Sequence, residues 1–498
     1  MSSALAQAFS MVFDPYTLVV MVIASLYGLF VGAVPGLSAT MAVALLVPVT
    51  FFMAPIPAIA AMVTATAMAI FSGDIPGCLL RIPGTPASAA YTDEAFAMTR
   101  KGMAEQALGA GLVFSAVGGL FGTAVLIVAA PALADFALNF SSFEYFWLVL
   151  LGLTCAVFIT SDRPLKGLVT LLLGLLVACV GLGNPAGFPR FTFGNTEMTG
   201  GIGMIPMMIG MFAISEVIRY AVDTLPPAEL VVDKVGGVLK GQWGLAKKYP
   251  VQILRGSVLG TAVGALPGAG ADIAAWMSYA MSKKFSKEPE KFGTGHVEGI
   301  VESGSANNSA LAGAWIPALV FGIPGDSITA IVIGVLYMKN LNPGPTLFTT
   351  NPQNIYAVFM LFIIANIIMI PLGILCIKVS KRILQVPRNV LMPLIMLFCI
   401  VGAFAINNSL FDVGVMLVAG FIAYVLEENR FPIAPAILGV VLGGMLEENF
   451  ITSMIKSDGN LMGFVSRPIA AGLAVVSVLI WVAPLLRRLF RSRSPVAA

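Results

Sequence analysis

The chain has 498 residues, of which 58% are hydrophobic and only 11% charged, with a mean hydropathy of +0.93 and a net charge of +3. A soluble domain carries about a quarter charged residues, so the composition leaves no room for a large one. The small, scattered positive charge also argues against nucleic-acid binding.

Residues 1–13 hold no Lys or Arg, so the basic start of a cleaved signal peptide is missing. Leu18 to Phe71 contains no charged residue at all. One span needs about 20 apolar residues, so this run holds more than one. Such runs recur to the C-terminus, and the expected fold is an all-α polytopic membrane protein with about 12 transmembrane segments, some broken or re-entrant. The polar stretches Asp223–Tyr249 and Ser282–Glu298 are only loop-sized.

Gly32-Ala33-Val34-Pro35-Gly36 is the first interruption, and Gly264-Ala265-Leu266-Pro267-Gly268 echoes it 232 positions on (264 − 32). Ile82-Pro83-Gly84 is the second, echoed by Ile323-Pro324-Gly325 after 241 positions (323 − 82). The predicted helix breaks are therefore Pro35-Gly36, Pro83-Gly84, Pro267-Gly268 and Pro324-Gly325. Paired Gly/Pro interruptions in corresponding halves are the best sequence pointer to a transporter's binding site.

Basic clusters mark cytoplasmic loops: Arg100-Lys101, Arg163–Lys166, Asp233–Lys248, Lys283–Lys291, Lys378–Arg388 and the tail Arg487–Arg493. The nearly base-free segments 1–15, Phe51–Pro57, Asn184–Thr199 and Asn340–Asn354 are placed outside. On this assignment the two halves point in opposite directions. We expect an inverted-topology repeat: a first half over 1–222, a cytoplasmic linker over 223–250 and a second half over 251–498. Ordinary membrane-helix kinks are the competing reading.

Between Ser72 and Ser88 stand three prolines, two of them beside glycines, and no helix is expected to continue through them. Thr85 and Ser88 then sit at a new helix start. There they either bind an anion or simply cap the helix, and the two roles are compatible. Asp74 and Arg81 are ionisable residues in an apolar stretch. Arg81 either clamps a carboxylate or forms a structural ion pair with Asp74.

Ser303, Ser305, Asn307, Asn308 and Ser309 make a polar knot leading to Gly325, Asp326 and Ser327. Hard oxygens of this kind suit Na⁺, whereas hydrogen bonding between helices is the plainer reading. Asp272 and Asp326 are candidate proton carriers if buried. Gly264–Asp272 is glycine-rich but lacks the lysine of a P-loop, so nucleotide binding is not expected. His296 reads as a surface residue. Leu426–Asn429 and its echo Leu446–Asn449 read as interfacial helix ends. Cys78, Cys155, Cys179, Cys376 and Cys399 stand singly without a CxxC pair, as packing residues rather than a zinc site or disulfide framework.

These motifs together resemble the large membrane subunit of the tripartite tricarboxylate transporter family, TctA. The resemblance is carried by Ile82–Ser88 with Met98–Gly102, Leu266–Ala271, Lys291-Phe292-Gly293, Ala306-Asn307-Asn308, Gly322–Gly325 and Asn342–Pro345. It implies a bacterial inner-membrane, multi-pass secondary transporter, not an enzyme. It also implies a small TctB-like membrane subunit and a TctC-like periplasmic solute-binding protein as partners, and di- or tricarboxylates as substrates. No cofactor is implied beyond a sodium ion or proton for coupling.

On this reading Arg81, Thr85, Ser88, Asn307, Asn308, Gly325, Asp326 and Ser327 face the substrate. Asp74, Ser303, Ser305, Asn307 and Asp326 serve the coupling ion. Asp74, Arg81 and Asp326 depart from the family's usual glycine, asparagine and small neutral residue. A permease of the same build for another small organic anion is the runner-up. A channel and an intramembrane aspartyl protease using Asp74 and Asp326 are the readings from other classes.

Overall fold

The computed structural model describes residues 2–159, 163–183, 187–222, 237–386 and 388–491. Residues 223–236 of the expected linker, part of the Asn184–Thr199 segment and the end of the basic tail lie outside them. The described chain is helical, with one isolated bridge between Gly181 and Arg190 and no other β structure among the described residues. Among the described residues, eight helical stretches are long and apolar enough to cross a membrane, and further apolar helices are shorter. The chain is a multi-pass membrane protein.

The chain forms two compact units, each drawing on both halves of the sequence. Residues 1–135 with 203–428 form one, and 136–202 with 429–498 form the other.

The first unit begins with α1 (Ser2–Val12) and α2 (Pro15–Ala33). Asp14 starts α2 by accepting the N–H groups of Tyr16 and Thr17, with Pro15 at the first helical position. Val34–Ser38 interrupts the helix, and Ser38 restarts it as α3 (Ala39–Phe51) by accepting the Met41 N–H at 3.1 Å. Then come α4 (Pro55–Ser72), α5 (Asp74–Leu80), α6 (Thr92–Arg100) and α7 (Ala104–Ala137).

In the second unit α8 (Ser142–Ile159) and α9 (Pro164–Ala178) are followed by the bridged segment. Arg190 grips Glu447 with two bonds of 2.7 Å. The chain returns to the first unit through α10 (Met204–Ile209), α11 (Ser215–Val222) and α12 (Gln242–Lys248).

The same sequence of events then recurs. Helix α13 (Pro250–Gly264) is interrupted and restarts as α14 (Gly270–Phe285). Next, α15 (Val297–Phe321) is interrupted and restarts as α16 (Ser327–Met338). The first unit closes with α17 (Pro345–Thr350), α18 (Pro352–Leu384), α19 (Arg388–Asn407) and α20 (Leu410–Glu428). The second takes α21 (Ala434–Lys456) and α22 (Pro468–Arg491). Leu426–Asn429 does end a helix. Leu446–Asn449, expected at a helix end, lies within α21, where Glu447 is spent on Arg190.

Helices α4 and α15 form the centre of the first unit: Ile56–Ser72 and Glu298–Phe321 are buried throughout. Each is crossed by a glycine-bearing partner at backbone distance. A Cβ on Gly28 or Gly32 would stand 2.3 or 2.4 Å from the carbonyl of Ala65 or Ala69. A Cβ on Gly260 or Gly264 would stand 2.3 or 2.2 Å from that of Ala306 or Ala310. Lipid offers no hydrophobic drive between helices, so this close approach of small residues supplies the packing.

Candidate functional site

The two Ile-Pro-Gly loops are built by matching bonds. At the end of α5, Arg81 takes a left-handed conformation (φ 59°) and donates its N–H to the Gly77 carbonyl at 3.1 Å. Ile82 donates to the Pro76 carbonyl at 3.4 Å. At the end of α15, Gly322 is left-handed (φ 67°) and donates to Ala318 at 3.1 Å, while Ile323 donates to Pro317 at 3.3 Å. This is a helix stop of the Schellman kind, which normally calls for glycine. The break therefore begins at Arg81, later than the prolines suggest. Pro76 lies in the first turn of α5, where its missing N–H costs nothing.

The loops leave by matching caps. Thr85 Oγ1 accepts the Ser88 N–H at 3.1 Å, and Ser88 Oγ accepts the Thr85 N–H at 3.1 Å. Asp326 Oδ1 accepts the Thr329 N–H at 2.7 Å, and Thr329 Oγ1 accepts the Asp326 N–H at 2.9 Å. These are capping boxes. Thr85, Ser88 and the Asp326 carboxylate are therefore engaged within the fold, and Ser327 follows half-buried as the first residue of α16. Gly84 and Gly325 sit against backbone. A Cβ on Gly84 would be 2.7 Å from the Gly73 Cα, and one on Gly325 would be 2.5 Å from the Gly264 carbonyl oxygen. The Gly268 N–H also donates to the Gly325 carbonyl at 2.8 Å, tying two breaks together.

Helix α14 reaches the first loop. Asp272 Oδ1 accepts the Ala87 N–H at 3.0 Å, and Trp276 Nε1 donates to the Pro86 carbonyl at 3.1 Å. Gly36, Pro83, Pro86, Leu266, Asp272 and Trp276 are exposed along these breaks. Arg81 is exposed too, and its Nε bonds to Asp93 Oδ1 at 2.8 Å. The Asp74–Arg81 pair does not form.

Asp74 instead lies buried (6% exposed) with the Tyr91 hydroxyl donating to its Oδ1 at 2.6 Å. Asn307 Nδ2 donates to the same hydroxyl at 3.4 Å. Asn308 Nδ2 donates to Ser115 Oγ at 2.9 Å. Asp74 Oδ2, Ser303 Oγ and Asn307 Oδ1 are buried and have no partner among the described residues. Ser303 and Asn307 are one helical turn apart on α15, so they share a face. Gly111 of α7 lies between Asp74 and the backbone of α15. A Cβ there would be 2.9 Å from Asp74 Oδ2, and the Gly111 Cα would lie 3.8 Å from a Cβ on Gly304.

Ser305 drops out of the group, because its hydroxyl bonds back to the carbonyls of Val301 and Glu302 at 2.8 and 3.0 Å. The polar knot is part of an unbroken helix, so side chains rather than freed carbonyls supply its oxygens. His296, read as a surface residue, is half-buried at the N-cap position of α15, with Nε2 3.0 Å from Glu298 Oε2. No group of three or more His, Cys, Asp or Glu suited to a metal ion occurs among the described residues. Tyr91 escaped the reading of the sequence because nothing local ties it to Asp74, 17 positions away.

Residues 18–438 match the Tripartite tricarboxylate transporter TctA family. The chain belongs to this family. Similar proteins include the "Uncharacterized 52.8 kDa protein in TAR-I ttuC' 3'region" of Agrobacterium vitis. It is 33% identical over 494 residues, covering 99% of this chain and 98% of that protein. The "Uncharacterized protein in TAR-II ttuC' 3'region" of the same organism is 36% identical over 231 residues, 46% of this chain and 96% of that protein. No solved structure matches. This TctA-family chain is thus a membrane transporter component of tricarboxylate transport, and the broken helices are where its site is to be sought.

Proposed function

We propose that this chain is the permease of a tripartite uptake system in a bacterial inner membrane. It moves a di- or tricarboxylate inward down a sodium gradient, receiving it from a periplasmic binding protein and working beside a small membrane subunit. The observation that carries the coupling is the buried set of unpartnered oxygens: Asp74 Oδ2, Ser303 Oγ and Asn307 Oδ1. Each buried polar atom left without a partner costs about 1–3 kcal/mol. Amide, hydroxyl and carboxylate oxygens are the hard ligands a cation of this type takes, whereas a single proton would satisfy only one of them.

The inverted repeat belongs to the same proposal. Contacts Gly28–Ala65 and Gly32–Ala69 are followed, at the same two offsets, by Gly260–Ala306 and Gly264–Ala310. The basic loops orient the halves oppositely. The breaks then meet near the bilayer midplane, with Arg81 the cation on offer to a substrate carboxylate.

The test is sodium-dependent uptake with Asp74→Asn and Asn307→Ala. Both should raise the sodium concentration for half-maximal uptake, about tenfold or more. Unchanged sodium activation in both would leave the cluster as packing. The second reading, another small organic anion, is favoured by Asp272 and Asp326 beside the breaks, which disfavour a trianion; a substrate panel separates the two. A protease dyad needs two carboxylates sharing a proton. Asp74 Oδ1 bonds to Tyr91 and Asp326 Oδ1 to Thr329, rather than to each other.

A further inference from the structure

Two lysines hold corresponding places. Lys101 caps the C-terminus of α6, the helix that follows the first Ile-Pro-Gly loop. Lys339 caps the C-terminus of α16, the helix that follows the second. Each reaches across to the other half of the sequence. Lys101 Nζ donates to the Thr294 carbonyl at 2.6 Å, in the segment joining α14 to α15. Lys339 Nζ donates to the carbonyls of Phe51, at the end of α3, and Met53, just beyond it, both at 2.7 Å.

The first of these crossings has a second component. Glu94, fully buried on α6, accepts the N–H groups of Gly293, Gly295 (2.7 Å) and His296 (2.8 Å), together with the Tyr279 hydroxyl (2.9 Å). Gly293 and Gly295 have φ of 88° and 94°, which turns these N–H groups toward one carboxylate. The charges suit their ends of the helices. Glu94 lies at the N-terminus of α15, where a negative charge is favoured, and Lys339 at the C-terminus of α3, where a positive one is. Burial holds the Lys339 amine below the usual lysine range.

We propose that these crossings are the two gates of the transport cycle: Glu94 with Lys101 latches the cytoplasmic side, and Lys339 latches the periplasmic side. The inner latch makes more bonds and places a carboxylate at their centre. It therefore holds while the outer one releases, and the resting permease opens first toward the binding protein. This assignment of sides rests on the function proposed above.

The experiment uses Leu266→Cys, in a break where Leu266 is 48% exposed, in the full chain with its five cysteines replaced by alanine. A membrane-impermeant maleimide is applied to right-side-out and to everted vesicles. Glu94→Ala should raise the labelling rate from the cytoplasmic face about five- to tenfold and lower it from the periplasmic face, and Lys339→Met should do the reverse. Glu94→Gln, which keeps the shape and loses the charge, should fall between. Lys101→Met, at an exposed side chain, gives the inward test again should Glu94→Ala fail to accumulate. Rates within about twofold of the parent from both faces, or both latches opening the same face, would overturn the proposal. Labelling needs no substrate, so side-specific labelling without carboxylate uptake would keep the latches and discard the substrate reading.

Discussion

The two Ile-Pro-Gly loops turn the chain with the same bonds but spend different residues on them. The second stops its helix with Gly322, for which a left-handed conformation costs nothing, whereas the first uses Arg81 at φ 59°. A non-glycine residue pays about 1 kcal/mol there. The second restarts its helix with a charged cap, Asp326, and the first with a neutral one, Thr85. Where bonding is shared, the residues serve the fold; where a loop departs from its counterpart at a cost, function is the better explanation. By that criterion Arg81 outranks Thr85 and Ser88 as a substrate residue.

The glycines give the largest test of the equivalence. Gly84→Ala and Gly325→Ala each drive a Cβ into backbone, and each should destabilise the protein by about 3 kcal/mol in thermal unfolding in detergent. A severe loss at one with tolerance at the other would break the comparison. The caps come next. Thr85→Ala and Asp326→Ala should each cost about 1 kcal/mol, and Asp326→Asn should keep both stability and uptake. Lost uptake in a stable Asp326→Asn protein would give that carboxyl a transport role beyond the cap. The smallest change is the most discriminating. Arg81→Gly should gain up to about 1 kcal/mol by relieving the left-handed residue, since the exposed pair with Asp93 is worth little. It should nonetheless slow uptake of an anionic substrate. Arg81→Ala should slow uptake equally without the gain in stability. Normal uptake in both would remove the clamp.

The breaks were legible because Gly and Pro punctuate a helix wherever they occur, and because each motif came twice. Hydrophobic run length likewise exposed the membrane class. What the sequence concealed was pairing at a distance. Asp74 and Arg81 looked like partners because they are seven residues apart, yet a helix turn and a break send them to Tyr91 and Asp93. The Ser/Asn knot was visible, but which of its oxygens stay unpartnered depends on local back-bonding: Ser305 bonds to its own helix and Ser303 does not. Glu94 drew no notice in the sequence, since its value comes from a loop about 200 residues later whose glycines aim three N–H groups at it.

The most direct test of the central claim is uptake of labelled citrate and a dicarboxylate panel into proteoliposomes containing this chain with its small subunit. Wild type and Asp74→Asn are compared, with and without binding protein, under a sodium gradient and then a pH gradient. The account predicts accumulation by wild type only with binding protein and a sodium gradient, and strongly reduced accumulation by a folded Asp74→Asn at the same sodium gradient, recovered in part as sodium is raised. Equal accumulation by Asp74→Asn, or wild-type accumulation driven by the pH gradient alone, would contradict it.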